Sequence, residues 1–288
     1  MYLANAFTDR TFSGNTTGIV ISNGQLNDEE MQNLATDLNI TETVFINRVD
    51  TGVYSTRFFT PFSEIDLCGH ATIATFYALC EHEYIPPIEF GTKSILQHTN
   101  NAKIPVDLEF ENNKIKNVYM KLKANHEDIE IDEDRLYKIL GLNREDVFTK
   151  NNLKPMKIKA GSTNIVVPVK NNEILQNLKP DFDALYEYSK EQDIISVQVF
   201  TLLEDEKNVI QRTFSPIIGV KEEAGSGTSV ATNLYYLYTF YSKDIKKIYS
   251  FQGSALNRPS SLSAQIIDHN EIKVGGRAYV FMNGVLNI

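Results

Sequence analysis

Two segments about half the chain apart read alike, and together they limit the folds open to this sequence. Leu67-Cys68-Gly69-His70-Ala71-Thr72 is a glycine-containing loop that opens a run with Ile73, Phe76, Tyr77 and Cys80 on one helical face. Gly225-Ser226-Gly227-Thr228-Ser229 opens a second run, with Val230, Leu234, Leu237 and Tyr241 on one face. A 288-residue chain that repeats a loop and an apolar helix is expected to form two similar halves, each around one such helix. The acidic stretch from His126 to Asp134 marks the boundary, placed near residue 125.

The rest of the pattern alternates strands with capped helices. Tyr2–Ala6, Gly18–Ile21, Thr43–Ile46 and Tyr54–Phe59 are β-rich, as are Asn164–Val169 and Ile194–Leu202 later on. Asn27 followed by Asp28, Glu29 and Glu30 predicts a helix start, with Met31, Leu34, Ala35 and Leu38 inward and Asn39 as the stop. Asp132-Glu133 starts another over Leu136, Ile139 and Leu140, ended by Gly141. Turns are expected at Ser13-Gly14-Asn15, Asn171-Asn172, Asn257-Arg258-Pro259 and Asn283-Gly284.

Charge and cysteine content exclude whole classes. The formal charge is −9 with no basic run, so the chain lacks what displaces counterions from nucleic acid. No apolar stretch approaches the roughly 20 residues that span a bilayer, and Met1–Arg10 does not read as a signal peptide. Two cysteines, Cys68 and Cys80, fit a reduced, cytoplasmic protein.

The two helix starts are the first candidates for chemistry. Their unpaired N–H groups and the helix dipole favour an anionic ligand or an enolate-like oxygen, and a glycine permits close approach; ordinary capping is the alternative. Gly225-Ser226-Gly227 lacks the third glycine of a dinucleotide loop and the lysine of a phosphate loop. Glu42 is the one charge in Ile40-Thr41-Glu42-Thr43-Val44-Phe45-Ile46, and a carboxyl in apolar surroundings suits general acid/base work. An exposed glutamate at a strand start reads equally well. His70 offers an acid/base group or a hydrogen-bonded structural histidine. The other histidines show no metal-ligand spacing, so no metal site is expected. No G-x-S-x-G elbow supports a serine hydrolase.

Taken in order, Phe7-Thr8-Asp9-Arg10…Gly14-Asn15, Thr41-Glu42-Thr43-Val44-Phe45, Leu67-Cys68-Gly69-His70-Ala71-Thr72, Ala160-Gly161…Ile165-Val166-Val167-Pro168-Val169, Pro180-Asp181-Phe182 and Phe214-Ser215-Pro216-Ile217-Ile218-Gly219-Val220 span nearly the whole chain. This set resembles the PhzF-like (phenazine-biosynthesis) family of the diaminopimelate epimerase-like superfamily. The resemblance implies an α+β fold of two pseudo-symmetric halves, each a curled β-sheet around a central helix, with the active site in a cleft between them. The expected halves are 1–124, completed by a last strand at about 277–288, and 125–276. It further implies an isomerase moving a proton on a small carboxylate-bearing substrate without metal or organic cofactor, and a homodimer.

By the same resemblance Glu42 matches the acid/base glutamate and His70 the histidine of the Gly-His pair. Gly69 and Gly227 match backbone positions that hold substrate, with Ala71 and Ser229 beside them. The second motif departs from the family's Glu-Asp-Pro-x-Thr-Gly-Ser: Glu222-Glu223-Ala224-Gly225-Ser226-Gly227-Thr228 puts Glu223 at the aspartate and Thr228 at the serine. A two-thiol racemase needs a cysteine at both helix starts; Cys68 fits the first, and Ala224 is aligned with the second. Cys68 is then expected to be structural. A non-catalytic binding protein and a single-base amino-acid epimerase are the alternatives, and the substrate is not legible.

Overall fold

The computed structural model describes residues 1–22, 26–148 and 153–287. Two compact units divide the chain, one of Met1–Lys121 with Gly275–Ile288 and one of Leu122–Val274.

The first unit begins with strands β1 (Tyr2–Ala6) and β2 (Asn15–Ile21) and helix α1 (Asp28–Leu38). Asn27 and Glu30 cap the start of α1 reciprocally, and Asn39 closes it in the left-handed conformation. Then come β3 (Glu42–Asp50), β4 (Val53–Phe59), the short β5 (Glu64–Ile65) and α2 (Gly69–Glu81). Strands β6 (Phe90–His98), β7 (Lys103–Glu111) and β8 (Lys114–Glu127) follow, the last ending in the second unit.

The second unit holds α3 (Glu133–Leu140), β9 (Met156–Ala160), β10 (Ser162–Pro168), α4 (Asn172–Gln176) and α5 (Phe182–Glu191). Next are β11 (Ser196–Leu202), β12 (Asn208–Phe214), α6 (Gly227–Tyr236), β13 (Lys247–Gln252), β14 (Ser260–Asp268) and β15 (Glu271–Gly276). The last strand, β16 (Ala278–Asn283), pairs antiparallel with β1.

Pairing repeats between the units. In the first, β1–β2 is antiparallel, β2–β3 parallel, β3–β4 antiparallel, β4–β6 parallel and β6–β7 antiparallel. In the second, β9–β10, β10–β11, β11–β12, β12–β13 and β13–β14 give the same alternation. Each parallel pair needs a crossover, and the helices supply it. The fold is α+β of the epimerase type, and α2 and α6 occupy the same place in the two repeats.

That place makes both helices central. Helix α2 packs on β1, β2, β3 and β16, and α6 on β9, β10, β13 and β14. The apolar spacing predicts one buried face on α2, yet all of His70–Cys80 is buried, because strands surround the helix. Its interior polar groups therefore need partners: Gln97 Nε2 donates to Thr72 Oγ1 at 3.1 Å and to Thr56 Oγ1 at 2.8 Å. Apolar side chains such as Ile73, Phe76 and Leu79 each contribute about 1.5–3 kcal/mol through burial. The end of α6 also differs from expectation, since the helix widens into a π turn over Leu237–Tyr241 and Tyr241 is half-exposed. Asn171, read as a turn, caps α4 with its side chain. Among the described residues no helix is long and apolar enough to cross a membrane.

Candidate active site

Glu42 is the first residue of β3, in register with Thr17 on β2. Hydrophobic packing fixes the strand, as Val44, Phe45 and Ile46 are buried, and Glu42 is carried with it to 8 % exposure. His70 follows Gly69 in the first turn of α2 and is equally buried. The fold brings the two together: His70 Nε2 lies 2.8 Å from Glu42 Oε2. At that distance the imidazole and the carboxylate are paired by charge.

The opposite nitrogen, His70 Nδ1, has two neighbours. Asn15 Nδ2 donates to it at 3.2 Å, and Cys68 Sγ lies 3.3 Å away. Turning the Asn15 amide presents its oxygen instead, so one side chain serves both the neutral and the charged imidazole. Gly14 aims Asn15 there, at a positive φ of 71° where an added Cβ would meet the Ala6 carbonyl at 2.1 Å.

Burial by itself lowers the His70 imidazole, but the Cys68 sulfur and the Glu42 carboxylate oppose it, and the net effect lies well above the ordinary value. Burial pushes the Cys68 thiol up, and Glu42 adds to this against the opposing pull of His70. Both groups are thus shifted upward, the thiol mainly by burial and the imidazole by the neighbouring sulfur and carboxylate.

The start of α2 is uncapped by side chains, since its N-cap residue, Cys68, makes no capping bond. Helices α1, α3 and α5, by contrast, are capped by Asn27, Asp132 and Asp181. A Cβ at Gly69 would meet only Met120 Sδ, at 4.0 Å, so there is room beside those N–H groups. The first turn of α2 can hold an anionic oxygen next to the Glu42–His70 pair. Ala71 is fully buried and offers only its backbone.

The other candidates lie in the second unit. Gly227 opens α6, again without a side-chain cap. Glu223 Oε1 accepts from Ser215 Oγ at 2.6 Å, so the longer side chain is tied to the Phe214-Ser215-Pro216 segment. The Thr228 methyl lies 3.1 Å from where a Cβ on Gly161 would stand, which explains how a threonine fits and why residue 161 is glycine. Ser229 is fully buried, its hydroxyl bonded to Ser226 Oγ and Thr213 Oγ1.

A chain of buried amides holds this loop. Gln252 Oε1 accepts from Ser226 N–H at 3.1 Å, and its Nε2 donates to the Glu223 carbonyl at 2.8 Å. Backbone groups cannot swap roles, so the orientation of Gln252 is fixed. Gln211 Nε2 must then donate to Gln252, Asn233 Nδ2 to Gln211, and Gln198 Nε2 to Asn233. The relay ends on Gln198 Oε1, which has no partner in the structure. Sequence reading found none of Asn15, Ser215 or Gln252 as working residues; Asn15 and Ser215 lay in quoted motifs, whereas Gln252 carries no local signal.

One sequence expectation needs correction. The residue equivalent to Cys68 is Ser226, not Ala224, because Cys68 and Ser226 are the N-caps of the two central helices. The motif offset arises because Glu223 and Ala224 belong to the loop before the cap. Separately, the polar atoms of Glu42, Cys68 and His70 lie within 4.8 Å of one another. Only the β3–α2 packing makes that set.

A repeated sheet around a central helix, with a carboxylate and an imidazole at one helix start, defines an isomerase-class enzyme of the epimerase-like fold. Residues 4–284 match the phenazine biosynthesis-like protein family, PhzC-PhzF, and the chain belongs to that family. An uncharacterized isomerase of Clostridium acetobutylicum is 30% identical over 302 residues, covering 99% of this chain and 97% of the relative. The uncharacterized isomerase YfhB of Bacillus subtilis is 28% identical and covers 97% of this chain and 92% of its own. The crystal structure of a Bacillus anthracis phenazine biosynthesis protein of the PhzF family superposes with a TM-score of 0.84 at 26% identity, covering 98% and 96% of the two chains. A probable proline racemase from Agrobacterium radiobacter shares the fold, with a TM-score of 0.66 at 11% identity over 99% and 92%.

Proposed function

We propose that this enzyme moves a proton between carbons of a small carboxylate-bearing substrate, with Glu42 as the group that takes and returns it and no resident metal or organic cofactor. The observation that carries this reading is the buried Glu42 carboxylate at the start of β3, its Oε2 2.8 Å from His70 Nε2 in the first turn of α2. Glu42 removes a proton from a carbon next to an electron-withdrawing group, so a C–H bond breaks and an O–H bond forms. The electron pair passes into an enolate, whose oxygen the uncapped N–H groups at Gly69 and His70 stabilise. The same carboxyl then returns its proton to a second carbon. His70, 2.8 Å from Glu42 Oε2, positions the carboxyl for both halves of the transfer.

The chemistry of the N–H groups at Gly69 favours a substrate with at least one carboxylate. Glu223 and Thr228 are assigned supporting roles in the same reaction by their place in the family motif, and Ala71 and Ser229 backbone roles in holding substrate. Incubation with a panel of small unsaturated or α-substituted carboxylates in deuterated water tests the reading. Label enters a carbon of the true substrate with wild-type protein and not with Glu42→Gln. Equal labelling by both would overturn it.

A further inference from the structure

The inward face of β3 carries a charged residue at each end. Side chains alternate along a strand, so Glu42, Val44, Ile46 and Arg48 share one face, with Val44 and Ile46 buried between the two charges. At about 3.3 Å per residue, Arg48 stands roughly 20 Å along the strand from Glu42. Helix α2 runs between the same two ends, with His70 in its first turn and Leu79 in its last. Around Arg48 and Leu79 the first unit holds a cavity of about 900 Å³, within the size range of small-molecule sites. Ile21, Ile46, Tyr54 and Tyr84 line it with them.

Two polar groups decide what can fill this cavity. Tyr54 stands opposite Arg48 in the β3–β4 register and is 6 % exposed, yet its hydroxyl has no hydrogen-bond partner among the described residues. Burial raises the phenol above its ordinary value, with Arg48 opposing, so near pH 7 it is protonated and can donate. Arg48 has no carboxylate partner among the described residues. Its guanidinium reaches the Asp50 carbonyl and Thr51 Oγ1, both at 3.4 Å, the outer limit of a hydrogen bond. Glu30, the carboxylate on the lining, is held by the Asn27 N–H at 2.8 Å in the α1 cap. A buried hydroxyl without a partner and a guanidinium without a carboxylate, beside apolar Ile46 and Leu79, match an anionic head on an apolar body.

We propose that this cavity binds a small hydrophobic monocarboxylate, its carboxylate on Arg48 and the Tyr54 hydroxyl and its hydrocarbon against Ile21, Ile46 and Leu79. Arginine offers paired N–H groups that match a carboxylate, and the phenol supplies a further donor. The site lies at the opposite end of α2 from the Glu42–His70 pair, and its test does not depend on the reaction proposed above.

Cyclohexanecarboxylate is the probe, with cyclohexylmethanol as its uncharged counterpart. NMR of protein labelled at isoleucine and leucine methyls and at backbone amides reads the two ends of α2 separately. The acid shifts the Ile46 and Leu79 methyls along a saturable one-site curve, and the alcohol does so at least about tenfold more weakly. Arg48→Gln weakens binding of the acid by at least about tenfold and Tyr54→Phe by about two- to tenfold, as expected for a charged and a neutral hydrogen bond. Arg48 is exposed and Tyr54→Phe removes a hydroxyl that bonds to nothing described, so both variants keep the fold, which thermal melting checks. Shifts confined to the Gly69 amide would place the acid at the Glu42–His70 end and overturn the site. So would shifts that never saturate, an alcohol that binds as tightly as the acid, or indifference to either substitution.

Discussion

Glu42 and His70 meet at 2.8 Å although they open different elements, the one strand β3 and the other helix α2. The contact sets a charge pair in the core of the first unit. In the second repeat the position of Glu42 is taken by Ser196, the first residue of β11, in register with Asn164 as Glu42 is with Thr17. Ser196 donates to Asn164 at 2.7 Å and carries no charge. The repeat therefore supplies one buried carboxylate at this register position rather than two.

Glu42→Gln is expected to abolish turnover while the protein stays folded. The amide keeps the shape but cannot take a proton from carbon. The loss should reach the upper end of the roughly 10²–10⁴-fold that acid/base groups contribute, with ligand affinity little changed. Deuterium incorporation and equilibrium ligand binding on the same preparations check it; a fall of less than about tenfold moves the role to another group.

The pairing of His70 makes stability depend on pH in a defined direction. Its folded value lies above the ordinary 6.5, so its contribution is complete below about pH 6.5 and is lost as the pH rises through the folded value. The stability gap between wild type and His70→Asn should therefore shrink with rising pH, by up to about 1.4 kcal/mol per unit. Urea unfolding at several values between pH 6 and 9 reads this, and a gap that widens would contradict the pairing.

Cys68→Ala should keep most turnover, since neither half of the proton transfer uses a thiol. The side chain packs with Val44, Phe58 and Ala71, and removing it costs about 1 kcal/mol of stability. Kinetics in the presence of chelator give the comparison; a loss of several orders of magnitude would make the thiol a working base.

Gln252→Met should destabilise the second unit strongly. It strips the acceptor from two buried donors, Ser226 N–H and Gln211 Nε2, each worth about 1–3 kcal/mol when orphaned. A total of about 2–5 kcal/mol by denaturant unfolding is expected. A cost under about 1 kcal/mol would mean that the relay does not hold the loop.

The sequence by itself determined the local grammar of this protein. The Asn27 and Asp132 helix starts, the strand runs and the two glycine-opened helices depend on neighbours within a few positions, so they are written in short segments. The repeat was legible for the same reason, through Gly69 and Gly227. The tertiary structure decided what required distant segments to meet. Complete burial of α2 comes from strands β1, β2, β3 and β16, which its own periodicity does not encode. The match of Ser226 with Cys68 was settled by where two helices begin, not by counting along a motif. The chemistry follows the same division: β3 delivers Glu42, the turn at Gly14 delivers Asn15, and α2 delivers Cys68 and His70. A side chain's charge state and partners depend on atoms within a few ångströms, and chain folding alone brings those atoms together.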